Sequence, residues 1–263
     1  MTPTLHPLRP VLPLAALLAT AALVLSFAAP AHAAEERSTL RIGFGGVSGS
    51  GTVQTETRAA GSFQAISLKT SAKLVLRQGS REGIELRADD NILPLIETRV
   101  VDGVGGPTLE IRSRDGASYS TKTTPVVTVD LIKLSDLAVS GSGDITGDGL
   151  KSPALKITVS GSGDIRLNKL AVDDLGIKVT GSGDVRFNGR AGKLGIAVAG
   201  SGDVNTVDLE ADEVSVSIAG SGNASVNARK TLAVTIAGSG DVVYRGDALL
   251  KTSIAGSGTV KKK

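Results

Sequence analysis

The triplet Gly-Ser-Gly returns at positions 141, 161, 181, 200, 220, 238 and 256, at spacings of 20, 20, 19, 20, 18 and 18 residues. Its flanks return with it: LAVSGSGDITG from Leu137, ITVSGSGDIRL from Ile157, IKVTGSGDVRF from Ile177, and so on to TSIAGSGTVKK from Thr252. Units of this size cannot bury an apolar face alone and must stack, so a fixed period of about 20 residues specifies a solenoid. Within one unit Leu155, Ile157, Val159, Gly161, Gly163, Ile165 and Leu167 share one parity, and Lys156, Thr158, Ser160, Ser162, Asp164 and Arg166 share the other. Alternation with period two is the pattern of a β-strand buried on one side. Helix is excluded over 137–260 by that periodicity and by the glycine content. The expected fold is therefore all-β: a right-handed parallel β-helix (β-solenoid) with 18–20-residue coils, the right hand being the default for parallel crossovers. Coils stack about 4.8 Å apart. Each interior aliphatic side chain contributes roughly 1.5–3 kcal/mol on burial. The glycines mark a corner where the inward side has little room and φ turns positive.

The repeats do not begin at residue 1. Val11 to Ala29 is an apolar run preceded by Arg9, with Pro13 inside it and Ala31-His32-Ala33 behind it. The small-residue ending and the proline favour a cleaved signal peptide over 1–33, cut between Ala33 and Ala34, above a retained anchor. Residues 34–61 are rich in Gly, Ser and Thr and read as a flexible leader, although Val47–Val53 is an isolated copy of the repeat that could add a strand. A β-helix domain is expected over 62–263, with 62–136 as an irregular N-terminal part and cap and 137–260 as regular coils. Within the irregular part, Asn91 is placed to cap a short helical turn in DDNILPLIETRV. Lys261, Lys262 and Lys263 read as protection of an open sheet edge, with contact to a polyanion as the other use.

Composition narrows the chemistry. Both histidines, His6 and His32, leave with the signal, and the chain has no Cys and no Trp. Disulfides and the usual zinc, iron and copper ligands are therefore missing from the mature chain. Its net charge of about +2 is too balanced for a nucleic-acid partner. One column is chemically suggestive: Asp144, Asp164, Asp184, Asp203 and Asp241 occupy one repeat position, completed by Asn223 and Thr259. If each Asp accepts backbone N–H bonds at its own turn, the column is corner chemistry, and Asn and Thr can replace it. The alternative is a cation, most naturally Ca²⁺, bound by carboxylates and carbonyls. A calcium roll, however, repeats every nine residues with a glycine loop on both sides, and here one loop serves each coil. The serines of the triplets have no histidine to act as base.

The sequence also resembles a known bacterial family, the "putative auto-transporter adhesin, head GIN domain" family. The resemblance rests on Phe63 with Ala65 and Ile66, on ADDNILPLIETRVVDG followed by TLEIRS, on PVVTVDLIKLSDLAVSGSGDI, and on the recurring Gly-Ser-Gly-Asp. It implies an exported right-handed β-helix in the cell envelope with no assigned catalytic residues. No alternating membrane strands follow Lys263, so export without autotransport is expected.

The expected function is a non-enzymatic exported cell-envelope protein, an adhesin or a surface-, glycan- or protein-binding β-helix. The mature protein would be periplasmic, outer-surface associated or secreted, with no catalytic residues, no cofactor and no transmembrane segment. Two alternatives stand beside it: a periplasmic structural or signalling partner without an adhesion role, and a polysaccharide-active β-helix enzyme. The enzyme needs only carboxylates and basic residues. Against it, the triplets are separated by too few residues for long cleft-forming loops, and few aromatics remain to stack on sugars.

Overall fold

A computed structural model describes residues 46–103 and 105–263. The expected signal peptide, the expected Ala33/Ala34 cleavage point and the first part of the expected leader lie outside the described residues. The described residues form one compact unit. Among the described residues there is no α-helix, only strands and one 3-10 turn.

Strands begin earlier than the composition of the leader implies. β1 (Val47–Ser48) and β2 (Val53–Arg58) both fall inside the stretch expected to be flexible. β2 alternates Thr55 and Thr57 with longer polar side chains and lies antiparallel on β5 (Gly83–Asp89). Its hydrogen bonds come from a partner some thirty residues away in sequence, so local composition under-reads it. β3 (Ala65–Lys69) and β4 (Lys73–Gln78) form the first two sides of a coil.

After β5 the chain crosses the end of the stack. The 3-10 turn Leu93–Leu95 places Ile92, Leu93 and Ile96 over the core, each 5% exposed or less. Arg58 holds this lid, donating to the carbonyls of Leu93 (3.0 Å) and Ile96, while Glu56 fixes its guanidinium. Asn91 does not cap the turn, whose N-cap is Ile92 without a side-chain bond. Asn91 instead donates to the carbonyl of Ser48 (2.8 Å) and accepts from the amide of Ser50 (3.0 Å). The early repeat copy is thus a clasp on the lid, and the amide side chain satisfies backbone groups of that clasp in place of the turn's.

β6 (Ile96–Gly103) and β7 (Gly106–Ser113) make an antiparallel hairpin. β8 (Tyr119–Ser120) pairs with β1, and β9 (Val126–Leu131) lies parallel to β4 and antiparallel to β5. The β7–β9 coil sits outside the earlier β3–β4 coil, because β3 pairs with β7 on one side and with β10 (Asp136–Gly141) on the other. Spatial order therefore departs from chain order at this end. The hairpin and the β2–β5 pair cover it with antiparallel strands, the cap that an apolar column needs.

From β10 on, order follows the chain. β11 (Asp144–Asp148), β12 (Lys151–Gly161), β13 (Ile165–Gly181), β14 (Val185–Gly200), β15 (Val204–Gly220) and β16 (Ala224–Gly238) stack in parallel register, then β17 (Val242–Arg245), β18 (Leu249–Gly256) and β19 (Val260–Lys262). Each coil has a first side leading into Gly-Ser-Gly, a second side after it, and a third side leading back. The interior column is the parity read from sequence: Leu155, Ile157, Val159, Ile165 and Leu167 are at most 2% exposed.

One ion cluster stabilises the capped end. Glu110 on β7 is buried and receives Lys69 and Arg99, both half exposed. The Lys69 hydrogen bond, opposed by burial and aided by Arg99, holds the Glu110 carboxyl below its ordinary 4.5. A depressed folded-state value contributes stability above about pH 4.5, lost as pH falls through the lower value. The Glu110→Gln variant is expected to lose about 1 kcal/mol at neutral pH, the partners being half solvated, and to show a shallower acid limb in urea titrations. An unchanged acid limb would remove Glu110 from that role.

Candidate functional site

The Asp column lines one corner, just after each triplet. Each side chain reaches the next coil, not its own turn. The amide of Asp164 donates to Oδ1 of Asp144 (3.3 Å), that of Asp184 to Asp164 (3.1 Å) and that of Asp203 to Asp184 (3.3 Å). The amide of Asn223 donates to Asp203 (3.0 Å), that of Asp241 to Asn223 (3.0 Å) and that of Thr259 to Asp241 (2.9 Å). The own-turn cap is thus corrected to a ladder between coils. The turn amide of each coil faces its predecessor's side chain because parallel stacking sets equivalent corners above one another. Asn and Thr fit the column because each offers an oxygen; Thr259 also donates its hydroxyl to Asp241 (2.7 Å), and this bond holds the Asp241 carboxyl below its ordinary range.

Like charges in the row are moderated from outside. Arg166 meets Asp164 at 2.8 Å and Arg186 meets Asp184 at 3.9 Å. One oxygen of each carboxylate is already engaged by an amide, and among the described residues no three His, Cys, Asp or Glu side chains converge as a metal ligand set. We expect Asp184→Ala to lose about 1 kcal/mol, one charged hydrogen bond at a half-exposed site, and Asp184→Asn almost none. Equal losses in urea unfolding would contradict the acceptor role.

The triplet beside this column is a second ladder. The carbonyl of Gly141 accepts from the amides of Ser162 (2.9 Å) and Gly163 (3.0 Å), and the same pair of bonds recurs at Gly161, Gly181 and Gly200. All seven triplet serines are exposed, and six of them, from Ser162 on, enter the ladder through their backbone amides.

The third side carries a different surface. A groove of about 670 Å³ crosses successive coils there. Its floor is Ala171, Val172, Ala191 and Gly192, and its rim is Lys151, Asp173, Arg190, Glu210, Asp212 and Arg229. The floor is low because register places small residues one above another: Val172 pairs with Ala191 and Ala191 with Ala211. At Gly192 a side chain would approach the Asp173 carbonyl to less than 3 Å, so the backbone itself forms the surface. Lys230 (2.8 Å) and Arg229 (3.7 Å) both hold Asp212, whose carboxyl lies below its ordinary range chiefly through the Lys230 bond. Sequence reasoning missed this groove. Its signal, Val172, Ala191 and Ala211 in one column, becomes visible only once the third-side register is known.

A narrow parallel stack of coils with one lidded end, polar ladders outside and a shallow groove places the chain in the class of repeat-built β-solenoids. The chain belongs to the family described as "Putative auto-transporter adhesin, head GIN domain", whose sequence profile matches residues 62–248. Solved structures agree on the fold. A "putative adhesin" from Bacteroides fragilis is 23% identical, with a TM-score of 0.76 over 83% of this chain and 100% of that one. A "putative lipid binding protein" from Parabacteroides distasonis is 26% identical, with a TM-score of 0.67 over 82% of this chain and 99% of that one. A "putative adhesin" from Parabacteroides merdae is 22% identical, with a TM-score of 0.67 over 82% and 98%. No curated protein matches the chain. Among the described residues no helix is long and apolar enough to cross a membrane.

Proposed function

We propose that the chain is a non-catalytic exported binding module of the cell envelope that holds an extended partner, a surface glycan or polypeptide strand, along its third side. The carrying observation is the groove: a floor of Ala, Val and Gly with charges of both signs at its rim, repeated across stacked coils. An extended chain can lie there against backbone and small side chains while the rim fixes its polar groups. The adhesin descriptions of the family and of two structural neighbours support surface binding.

The test is a glycan array and a whole-cell binding assay on the exported form, residues 34–263, with and without Ca²⁺. Wild type should bind, Arg190→Glu, a charge reversal at the exposed rim, should weaken or abolish binding with the fold intact, and Asp184→Asn should leave it unchanged. Binding that survives Arg190→Glu unchanged would move the site elsewhere. Turnover of a polysaccharide, lost on changing one Asp, would replace the module by an enzyme.

A further inference from the structure

The two ends of the stack are built differently. The first is closed by antiparallel strands and the Leu93–Leu95 lid. The other is the β18–β19 coil, beyond which the described residues place no further coil. Here the interior rows run out into solvent. Leu232, 1% exposed, stacks on Leu250, 43% exposed, and Ile236, 1% exposed, stacks on Ile254, 42% exposed. Leu249, just before them, is 79% exposed. Three of the six exposed large hydrophobic residues described thus fall in one strand of eight residues, while Val47, Val100 and Ile132 lie apart.

Charge concentrates at the same place. Residues 245–263 contain five basic residues, Arg245, Lys251, Lys261, Lys262 and Lys263, and one acidic residue, Asp247. That segment alone is net +4, more than the +3 of the entire chain. Lys262 pairs with Asp247 at 2.9 Å, and among the described residues no ion pair within 4 Å is formed by Lys251, Lys261 or Lys263. Exposed aliphatic side chains beside several amines match the interface of an anionic bilayer: the apolar groups enter the headgroup boundary and the amines meet lipid phosphates. A second copy fits less well. An isologous end-to-end contact sets +4 against +4.

We propose that the β18–β19 end docks the protein on anionic lipid membranes, leaving the groove of the third side free. The inference is independent of what the groove binds. The experiment is co-sedimentation of residues 34–263 with vesicles of phosphatidylcholine alone or mixed with phosphatidylglycerol, at low and at molar salt. Wild type should bind only the anionic vesicles and be released by salt. Lys261→Glu/Lys262→Glu/Lys263→Glu should weaken binding by about tenfold or more, since each cation near such a surface contributes about a factor of five. Leu250→Ser/Ile254→Ser should also weaken it, with only a modest fall in melting temperature because the two side chains cover just the last pair of core residues, and with the far-ultraviolet circular dichroism of wild type. Failure of wild type to bind, equal binding to neutral vesicles, or variants that bind like wild type would overturn the proposal. So would a dimer in sedimentation equilibrium that the Leu250→Ser/Ile254→Ser change dissolves.

Discussion

Gly200→Ala should lower stability by about 3 kcal/mol or more, a large loss for the addition of a single methyl group. Two effects combine. The φ of Gly200 is +132°, in a region that side-chain-bearing residues avoid at a cost of about 1–3 kcal/mol. The new Cβ would also point along the stack and meet the carbonyl oxygen of Gly181 at less than 3 Å. That oxygen accepts the amides of Ser201 (2.9 Å) and Gly202 (3.1 Å), so it cannot retreat without breaking the corner ladder. Overpacking against such a neighbour costs about 1–3 kcal/mol more. The control is Gly176→Ala, where nothing lies within 4 Å of the added atom. A strand glycine in open space is expected to gain up to about 1 kcal/mol on replacement. Urea midpoints measure both, and a Gly200→Ala midpoint equal to that of wild type would show that the corner is softer than its hydrogen bonds require.

Phe187→Ala should cost about 3–5 kcal/mol, the range for emptying a buried aromatic site. Phe187 is 3% exposed and stacks directly below Leu167. On its other side the register between β14 and β15 shifts between Arg186 and Asn188, so the ring has no paired residue beneath it. It fills the volume that the irregularity opens, and a parallel ladder cannot close over a void of that size without shifting every coil beyond it. Phe187→Leu should recover most of the loss. If alanine and leucine give the same midpoint, the site collapses more readily than a stacked column allows.

Much of this architecture was legible because it is written in local rules. The inward parity of Leu155, Ile157, Val159, Ile165 and Leu167 follows from the two-residue repeat of an extended chain, and every one of them is buried. The glycine corner is equally local, since positive φ at Gly161, Gly181 and Gly200 is a property of single residues. The Asp column was found by period alone, but its partner was misplaced by one coil. An Asx-turn and a bond to the next coil use the same residues at the same spacing, and only the stacking distance chooses between them. Asn91 failed in the same way: a side chain suited to capping a turn found backbone groups of Ser48 and Ser50, about forty residues away in sequence, and bonded those.

Period, parity and turn chemistry sufficed to determine a stack of parallel coils with an aliphatic interior and a polar corner, because each concerns residues within about 20 positions of one another. Tertiary structure decided the rest: that β7–β9 lies outside β3–β4, that residues 47–58 clasp and pin a lid, that small residues align into a groove, and that one end of the apolar column stays uncovered. These are questions of which strand edge meets which. Every β-strand offers the same row of amides and carbonyls, so the sequence of an edge does not name its neighbour; burial and register, summed over the folded stack, do.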